Sequence, residues 1–135
     1  MPTQSDTPIK TFIFYWLPII IYCLAIFIQS SLPTSERLPA FPHSDKLLHA
    51  GAYALLGFLF YRAFQTTRIP KTTMLLVLVS ALSSTVYGIS DEIHQNFVPS
   101  RTFSLADMLA NTVGSFMGAG AGQIRSSKRF SNLII

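Results

Sequence analysis

Residues 91–118 read DEIHQNFVPSRTFSLADMLANTVGSFMG. Apolar residues precede this stretch and small residues end it. Its polar residues recur at helical spacings. Asp91, Glu92 and Gln95 close one apolar segment, and Asp107 and Asn111 open the next. Pro99 and Arg101 mark a turn between the two. Ionisable groups are costly beside lipid, so at membrane depth they face a bundle interior or a water-filled cavity. The stretch therefore reads as a helical hairpin that forms one wall of a polar site.

Composition sets the environment. The chain has 135 residues, enough for one domain. Half of it is hydrophobic and only 12% is charged, against about 25% in an ordinary soluble domain. The deficit points to a membrane. The net charge of +4 is grouped at certain segment ends, which suits membrane orientation and excludes a nucleic-acid partner, for which a soluble fold presents a basic face. Cys23 is the only cysteine, so no intramolecular disulfide and no Cys-based zinc site exist. It sits in an apolar run and is expected to pack against lipid or the core.

Four helices are predicted. Residues 1–9 form a polar, proline-containing tail. From Phe12 to Ile28 only Pro18 interrupts an apolar run, and proline is tolerated in a membrane helix. Gln29-Ser30-Ser31 makes a poor signal-peptidase site, so this first helix is read as uncleaved. Residues 30–45 hold three prolines and form a loop. Ser44 or Asp45 could cap a second helix of residues 46–64. A basic turn at 65–73 leads to a third helix of about 72–96. Its Ser80, Ser83, Ser84, Thr85 and Gly88 suit close helix contact. Ser104 is the expected cap of a fourth helix ending near residue 124. The organisation is a tail of 1–9, one domain of 10–124 and a basic tail of 125–135. The fold class is an all-α polytopic membrane protein with four transmembrane helices.

Basic residues orient it. Lys10, Arg62, Arg68, Lys71, Arg125, Lys128 and Arg129 lie on the side of the termini, and Arg37, Lys46 and Arg101 on the other. Seven against three places both termini in the cytoplasm by the positive-inside rule. Phe12, Phe14, Tyr15, Trp16 and Tyr22 suit interfacial anchoring and lipid contact.

Three helices then present polar stripes at similar depth. Asp45, His49 and Tyr53 are spaced by four on the second helix, so they share a side. Ser84, Tyr87, Asp91 and Gln95 share a side of the third, flanked by Glu92. Ser104, Asp107, Asn111, Ser115 and Gly118 share a sector of the fourth. The convergence predicts an outward-facing cavity between helices two, three and four.

At these residues the chain resembles the VanZ-like family of small multi-pass membrane proteins. The resemblance rests on Asp45-Lys46, His49 and Tyr53, then on Glu92, Gln95, Pro99, Arg101, Ser104, Asp107, Asn111, Gly114 and Gly118. It covers roughly residues 30–122. It implies a protein of the bacterial cytoplasmic (inner) membrane in a family whose named member is associated with resistance to teicoplanin, a lipid-bearing glycopeptide.

Two readings of the polar residues stand side by side. His49 with Glu92 and Asp107 has the makings of a catalytic or metal site, since imidazole and carboxylates hold divalent cations or exchange protons. The same groups can instead form a structural network across helices. No H-E-x-x-H or G-x-S-x-G motif is present. The sequence specifies neither a metal nor a cofactor. Arg101 can anchor a phosphate or carboxylate of a ligand, or bridge to Asp107 or Glu92. Gln95, Asn111, Tyr53 and Asp45 complete the candidate binding set. The small-residue stripe Gly114, Gly118, Gly122 invites close approach of another helix, expected from the same chain.

The leading functional expectation is a cavity that binds, and can modify, a lipid-linked or amphiphilic envelope molecule. Its partners would be membrane lipid and a lipid-linked envelope precursor or lipoglycopeptide. The alternative is a non-enzymatic protein whose polar cluster holds the bundle or an assembly together. A small transporter with Asp107 and Glu92 as proton carriers is a third reading.

Overall fold

The computed structural model describes residues 7–33, 42–70 and 72–132. Within them the chain forms four helices and no strands: α1, Pro8–Ser31; α2, Ser44–Phe64; α3, Thr73–Gln95; and α4, Leu105–Ser131. Arg37 and Lys71 of the charge tally lie outside the described residues, as do most of the first loop and the outermost residues of both tails.

Consecutive helices run antiparallel, as side-chain contacts at both ends show. At one end the Arg62 guanidinium lies 5.4 Å from the centre of the Tyr15 ring. There Gln65 Nε2 donates to Ser126 Oγ at 2.9 Å, and Gln123 Nε2 donates to Thr73 Oγ1 at 3.3 Å. At the other end Ser31 Oγ lies 2.9 Å from His94 Nε2, and Lys46 Nζ donates to Asp107 Oδ1 at 3.2 Å. Lys10, Arg62, Arg125, Lys128 and Arg129 therefore gather at one end of the bundle, and the candidate site lies at the opposite end.

Helices α1, α2 and α3 are each long and apolar enough to cross a membrane. Helix α4 does not meet that measure, so three of the four helices, and not all four as expected, qualify as spans by length and composition. Its sequence explains why. Asn111, Gly114, Ser115, Gly118, Ala119 and Gly122 are buried and face inward. Leu105, Leu109, Val113, Phe116, Met117 and Ile124 are exposed, recurring at the spacing of one helical face. The helix is polar and small inside and apolar outside, so its mean apolarity is low.

The ends also differ from expectation. Pro8 and Ile9 are already helical, and α4 runs through residues 125–131 of the predicted tail. His43, with a left-handed φ of 64° and no capping bond from its own side chain, takes the N-cap position of α2 where Ser44 or Asp45 was expected. Residues Phe12–Trp16 form a π-helical turn. Pro18 has no N–H for the Phe14 carbonyl, and its ring crowds that oxygen, so a wider turn absorbs the misfit.

The closest packing is between α2 and α4. A Cβ on Gly114 would collide with the Ala50 carbonyl, one on Gly118 with the Ala54 carbonyl, and one on Gly122 with the Tyr61 ring. A Cβ on Gly57 of α2 would collide with the Ser115 carbonyl. The small-residue stripe of α4 thus receives α2 of the same chain. Without a hydrophobic drive inside lipid, such close backbone contact is what holds helices together. Helix α3 completes the core with buried Ser80, Ser84 and Gly88. Ser84 Oγ donates to the Tyr53 carbonyl at 3.3 Å and lies 2.7 Å from Ser115 Oγ.

Helix α1 packs more loosely and is held by tyrosines. Tyr22 OH donates to the Ala52 carbonyl at 3.1 Å, and Tyr87 OH donates to the Cys23 carbonyl at 2.6 Å. Tyr15, Trp16, Tyr22 and Cys23 pack against a core of Ile19, Tyr53, Leu56 and Ala63. Trp16 meets Phe64 edge-on at 5.6 Å. Of the five aromatic residues expected at the lipid interface, Phe12 and Phe14 are exposed and the other three turn partly inward.

Adding one methyl by Gly118→Ala is expected to lower stability in detergent by about 1–3 kcal/mol, the usual cost of overpacking. Gly120→Ala, whose Cβ would meet nothing within 4 Å, should be neutral or stabilising by up to ~1 kcal/mol. Equal melting temperatures for the two variants would overturn the α2–α4 interface.

Candidate functional site

Polar side chains of α2, α3 and α4 meet at the end of the bundle away from the basic cluster. His49 stands at the centre. Its Nδ1 lies 3.0 Å from Asn111 Oδ1 and 3.9 Å from Glu92 Oε1, and its Nε2 lies 4.0 Å from Asp107 Oδ2. One ligand atom from each of His49, Glu92 and Asp107 can be chosen so that all three lie within 4.8 Å of one another. Glu92 is completely buried. The predicted catalytic residues are therefore brought together, with Asn111 beside them.

Local structure explains the positions. Ser104 Oγ accepts from the Asp107 backbone N–H at 3.2 Å, as a helix cap should. The Ser104 backbone N–H in turn donates to Glu92 Oε2 at 3.2 Å. A carboxylate of α3 thus binds the start of α4, where the helix dipole favours negative charge. The intervening turn is tight. Arg101 N–H donates to the Val98 carbonyl at 3.1 Å, and Ser100 takes a left-handed φ of 67° after Pro99. This suits a type II turn, with proline second and positive φ third.

Lys46 contributes what the sequence reading missed. Its ammonium donates to Asp107 Oδ1 at 3.2 Å and to Asp45 Oδ2 at 3.0 Å. The sequence singled out Asp45-Lys46 as neighbours, but no local spacing announces a contact with a residue 61 positions away. Asp45 itself stays at the rim, paired to Lys46.

A second polar group lies on the other side of His49. Asp91 Oδ2 accepts from Tyr53 OH at 3.2 Å and from Gln95 Nε2 at 3.0 Å. Arg101 Nη1 donates to Gln95 Oε1 at 3.2 Å. Its Nε donates to the Leu32 carbonyl at 2.9 Å and its Nη2 to the Gln29 carbonyl at 3.2 Å. Arg101 therefore closes the C-terminal end of α1, where free carbonyls and the dipole attract a cation. It does not bridge to Asp107 or Glu92 as one sequence reading had it. Asp91 was on the predicted stripe but outside the candidate set, although its spacing of four from Gln95 was the available signal.

A cavity of about 400 Å³ opens beside this second group. Its polar end is formed by Asp45, His49, Asp91, Gln95, Arg101 and Gln29, and its apolar wall by Tyr22, Ala25, Ile26, Leu48 and Ala52. It lies between α1, α2 and α3, not between helices two, three and four as expected. The physical reason is the glycine stripe: α4 approaches α2 too closely to leave a void, whereas bulky aromatic residues hold α1 away. His49 belongs to both places, lining the cavity on one side and facing the carboxylates of Glu92 and Asp107 on the other.

Among the described residues, four buried side-chain atoms find no hydrogen-bond partner: Thr85 Oγ1, Asp91 Oδ1, Glu92 Oε1 and Asn111 Nδ2. Three of them belong to the two polar groups around His49. Unsatisfied groups are costly in a low-dielectric interior, and their concentration here makes the region the candidate site.

Two substitutions test these links. Glu92→Gln keeps an acceptor for the Ser104 N–H, whereas Glu92→Leu leaves it unsatisfied and should cost a further ~1–3 kcal/mol in a detergent melt. Arg101→Ala should speed amide hydrogen exchange in the last turn of α1 while leaving α4 protected. Unchanged exchange there would remove Arg101 as the tie between α1 and the turn.

No solved structure matches the chain. An uncharacterized protein of the fission yeast Schizosaccharomyces pombe is 33% identical over 94 residues, which is 70% of this chain and 55% of the relative. The chain thus spans about half the length of the curated relative it matches. Residues 11–125 match the family described as VanZ/LLP1. The match includes all four helices' packed portions and every residue around His49, and the chain belongs to the VanZ/LLP1 family of multi-pass membrane proteins.

Proposed function

We propose that this protein binds an amphiphile in the cavity between α1, α2 and α3, with the headgroup at the Arg101 end. The observation that carries the reading is the cavity's composition. One end holds a guanidinium and carboxylates, and the wall beyond is apolar. Of the five N–H donors of Arg101, three are engaged by Gln29, Leu32 and Gln95, so donors remain for a phosphate or carboxylate. Asp91, with one oxygen unpartnered, suits a positively charged or hydrogen-bond-donating part of the same headgroup. The exposed Ala25 and Leu48 at the mouth offer a lateral way in from lipid.

In the membrane orientation favoured by the basic residues, the termini are cytoplasmic and the cavity faces the outer leaflet of the inner membrane. A phospholipid, a polyprenyl phosphate carrying an envelope precursor, and a lipid-bearing glycopeptide all present the required chemistry. The relative in a fungus favours an amphiphile common to many membranes over one confined to bacterial walls. His49, shared by the cavity and the carboxylates, is the group able to exchange a proton with a bound headgroup, so modification of the ligand is the enzymatic form of the same reading. The competing reading, a purely structural cluster, draws on the helix-crossing bonds of Glu92 and Lys46. It leaves unused the amphipathic cavity beside them.

Thermal melts of the purified protein with added lipids test the proposal. A ligand selective for the native state should raise stability by ~2.7 kcal/mol at a hundredfold excess over its dissociation constant. The panel comprises phosphatidylethanolamine, phosphatidylglycerol, their lyso forms, undecaprenyl phosphate and teicoplanin. The shift should vanish in Leu48→Trp, which fills the mouth, and weaken in Arg101→Lys. A lipid shift indifferent to both substitutions, or no shift with any member, would favour the structural reading.

A further inference from the structure

We infer that His49, Glu92 and Asp107 form a binding site for a divalent transition-metal ion of the zinc or manganese type. The inference does not depend on what the cavity binds, because the ion would sit on the α4 side of His49.

Three independent observations lead there. The first is geometric. Ligands about 2.1 Å from a shared ion lie roughly 3–4 Å apart, and the separation of His49 Nε2 from Asp107 Oδ2 is 4.0 Å. That is too long for a hydrogen bond but suits two ligands of one ion. The triad's overall spread of 4.8 Å needs only a small contraction. The second is an orphaned atom. Glu92 is completely buried, its Oε2 is engaged by the Ser104 N–H, and its Oε1 has no partner. That free oxygen lies 3.9 Å from His49 Nδ1 rather than Nε2, so it must swing towards Asp107 to join an ion held at Nε2. A buried carboxylate oxygen without a donor asks for a cation.

The third is orientation by a neighbour. With Asn111 Oδ1 as its acceptor at 3.0 Å, His49 Nδ1 carries the proton, and Nε2 presents its lone pair towards Asp107. Metal-binding histidines are commonly held this way by an oxygen on the far nitrogen. Charge agrees. With all three carboxylates ionised, Asp45, Glu92 and Asp107 bring three negative charges and Lys46 one positive charge, so the group is at −2 with His49 neutral. A divalent ion balances it, where a protonated His49 would leave −1 at the edge of a membrane core. One imidazole nitrogen with two carboxylates suits zinc or manganese better than magnesium or calcium, which prefer oxygen ligands alone.

The test uses the full chain in detergent, stripped with EDTA and free of added lipid. It is titrated separately with Zn²⁺, Mn²⁺, Mg²⁺ and Ca²⁺ by calorimetry, and bound metal is counted by mass spectrometry. The expected result is one Zn²⁺ or Mn²⁺ per chain. Affinity should fall at least tenfold in His49→Gln, Glu92→Gln and Asp107→Asn. Asn111→Ala should cost about 10- to 100-fold, as loss of a ligand's supporting bond does. His94→Gln, a histidine outside the triad, should bind as the wild type does. Should a triad variant fail to fold, X-ray absorption of zinc-loaded wild type still decides: an oxygen and nitrogen shell with one imidazole is expected. The proposal is overturned by less than half an equivalent of bound metal, by selectivity for Mg²⁺ or Ca²⁺, or by a spectrum lacking imidazole. It is also overturned if folded triad variants bind as tightly as wild type. Success here with no lipid shift would retain the metal site and remove the amphiphile reading; the converse result would do the opposite.

Discussion

The contact of Gly114 and Gly118 with the backbone of α2 at Ala50 and Ala54 sets the geometry of everything near it. His49 directly precedes Ala50, and Asn111 lies one turn before Gly114. Once these backbones touch, His49 and Asn111 have little choice but to meet. A larger residue at either glycine would push α4 outward and draw Asp107 away from both Lys46 and His49. In lipid, helices gain little from hiding apolar surface from one another, so contact depends on shape and hydrogen bonding. The glycines supply the shape, and Ser84, Ser115 and Asn111 supply polar partners along the same seam.

That constraint divides the end of the bundle away from the basic cluster into two unlike compartments. On the α4 side there is no space, and charged groups are pressed together: Glu92 on the Ser104 N–H at the start of α4, Asp107 on Lys46, and His49 between them. On the α1 side, aromatic residues and tyrosine hydroxyls hold the helix at a distance, and a cavity remains. Arg101 belongs to the turn that joins α3 to α4, yet it spends its hydrogen bonds on the end of α1. One short turn thus couples both compartments to the helix that borders the cavity. Groups that are expensive to bury and imperfectly paired concentrate at this single level, which is where function is expected to reside.

Much of this was legible in the chain. Long apolar runs announced the helices, because a membrane core forces every backbone group to bond within its own segment. Periodicity placed His49 with Asp45 and Tyr53, and Asp107 with Asn111, on single faces. Ser104 could be read as a cap from its place three residues before Asp107. The glycine stripe announced a close neighbour. Other features were out of reach. Lys46 looked like an interfacial charge, Arg101 looked like a ligand anchor or a partner for Asp107 or Glu92, and Tyr15, Trp16 and Tyr22 looked like anchors in lipid. Each depends on which side chain of a distant helix lies opposite, and spacing within one helix carries no information about that.

The sequence by itself determined the class of the protein: an all-helical, multi-pass membrane chain whose polar residues gather at one end. Its determinants are local and additive, namely apolarity over some twenty residues, period, and the positions of proline and glycine. Only the tertiary structure decided where the space lies. The cavity falls between α1, α2 and α3 because the α2–α4 seam closes and the α1 side does not. That outcome depends on the relative depth and separation of helices, which are properties of the assembled bundle. The same holds for His49. Its face was predictable, but its position between a cavity and the carboxylates of Glu92 and Asp107 arose only when four helices were packed together.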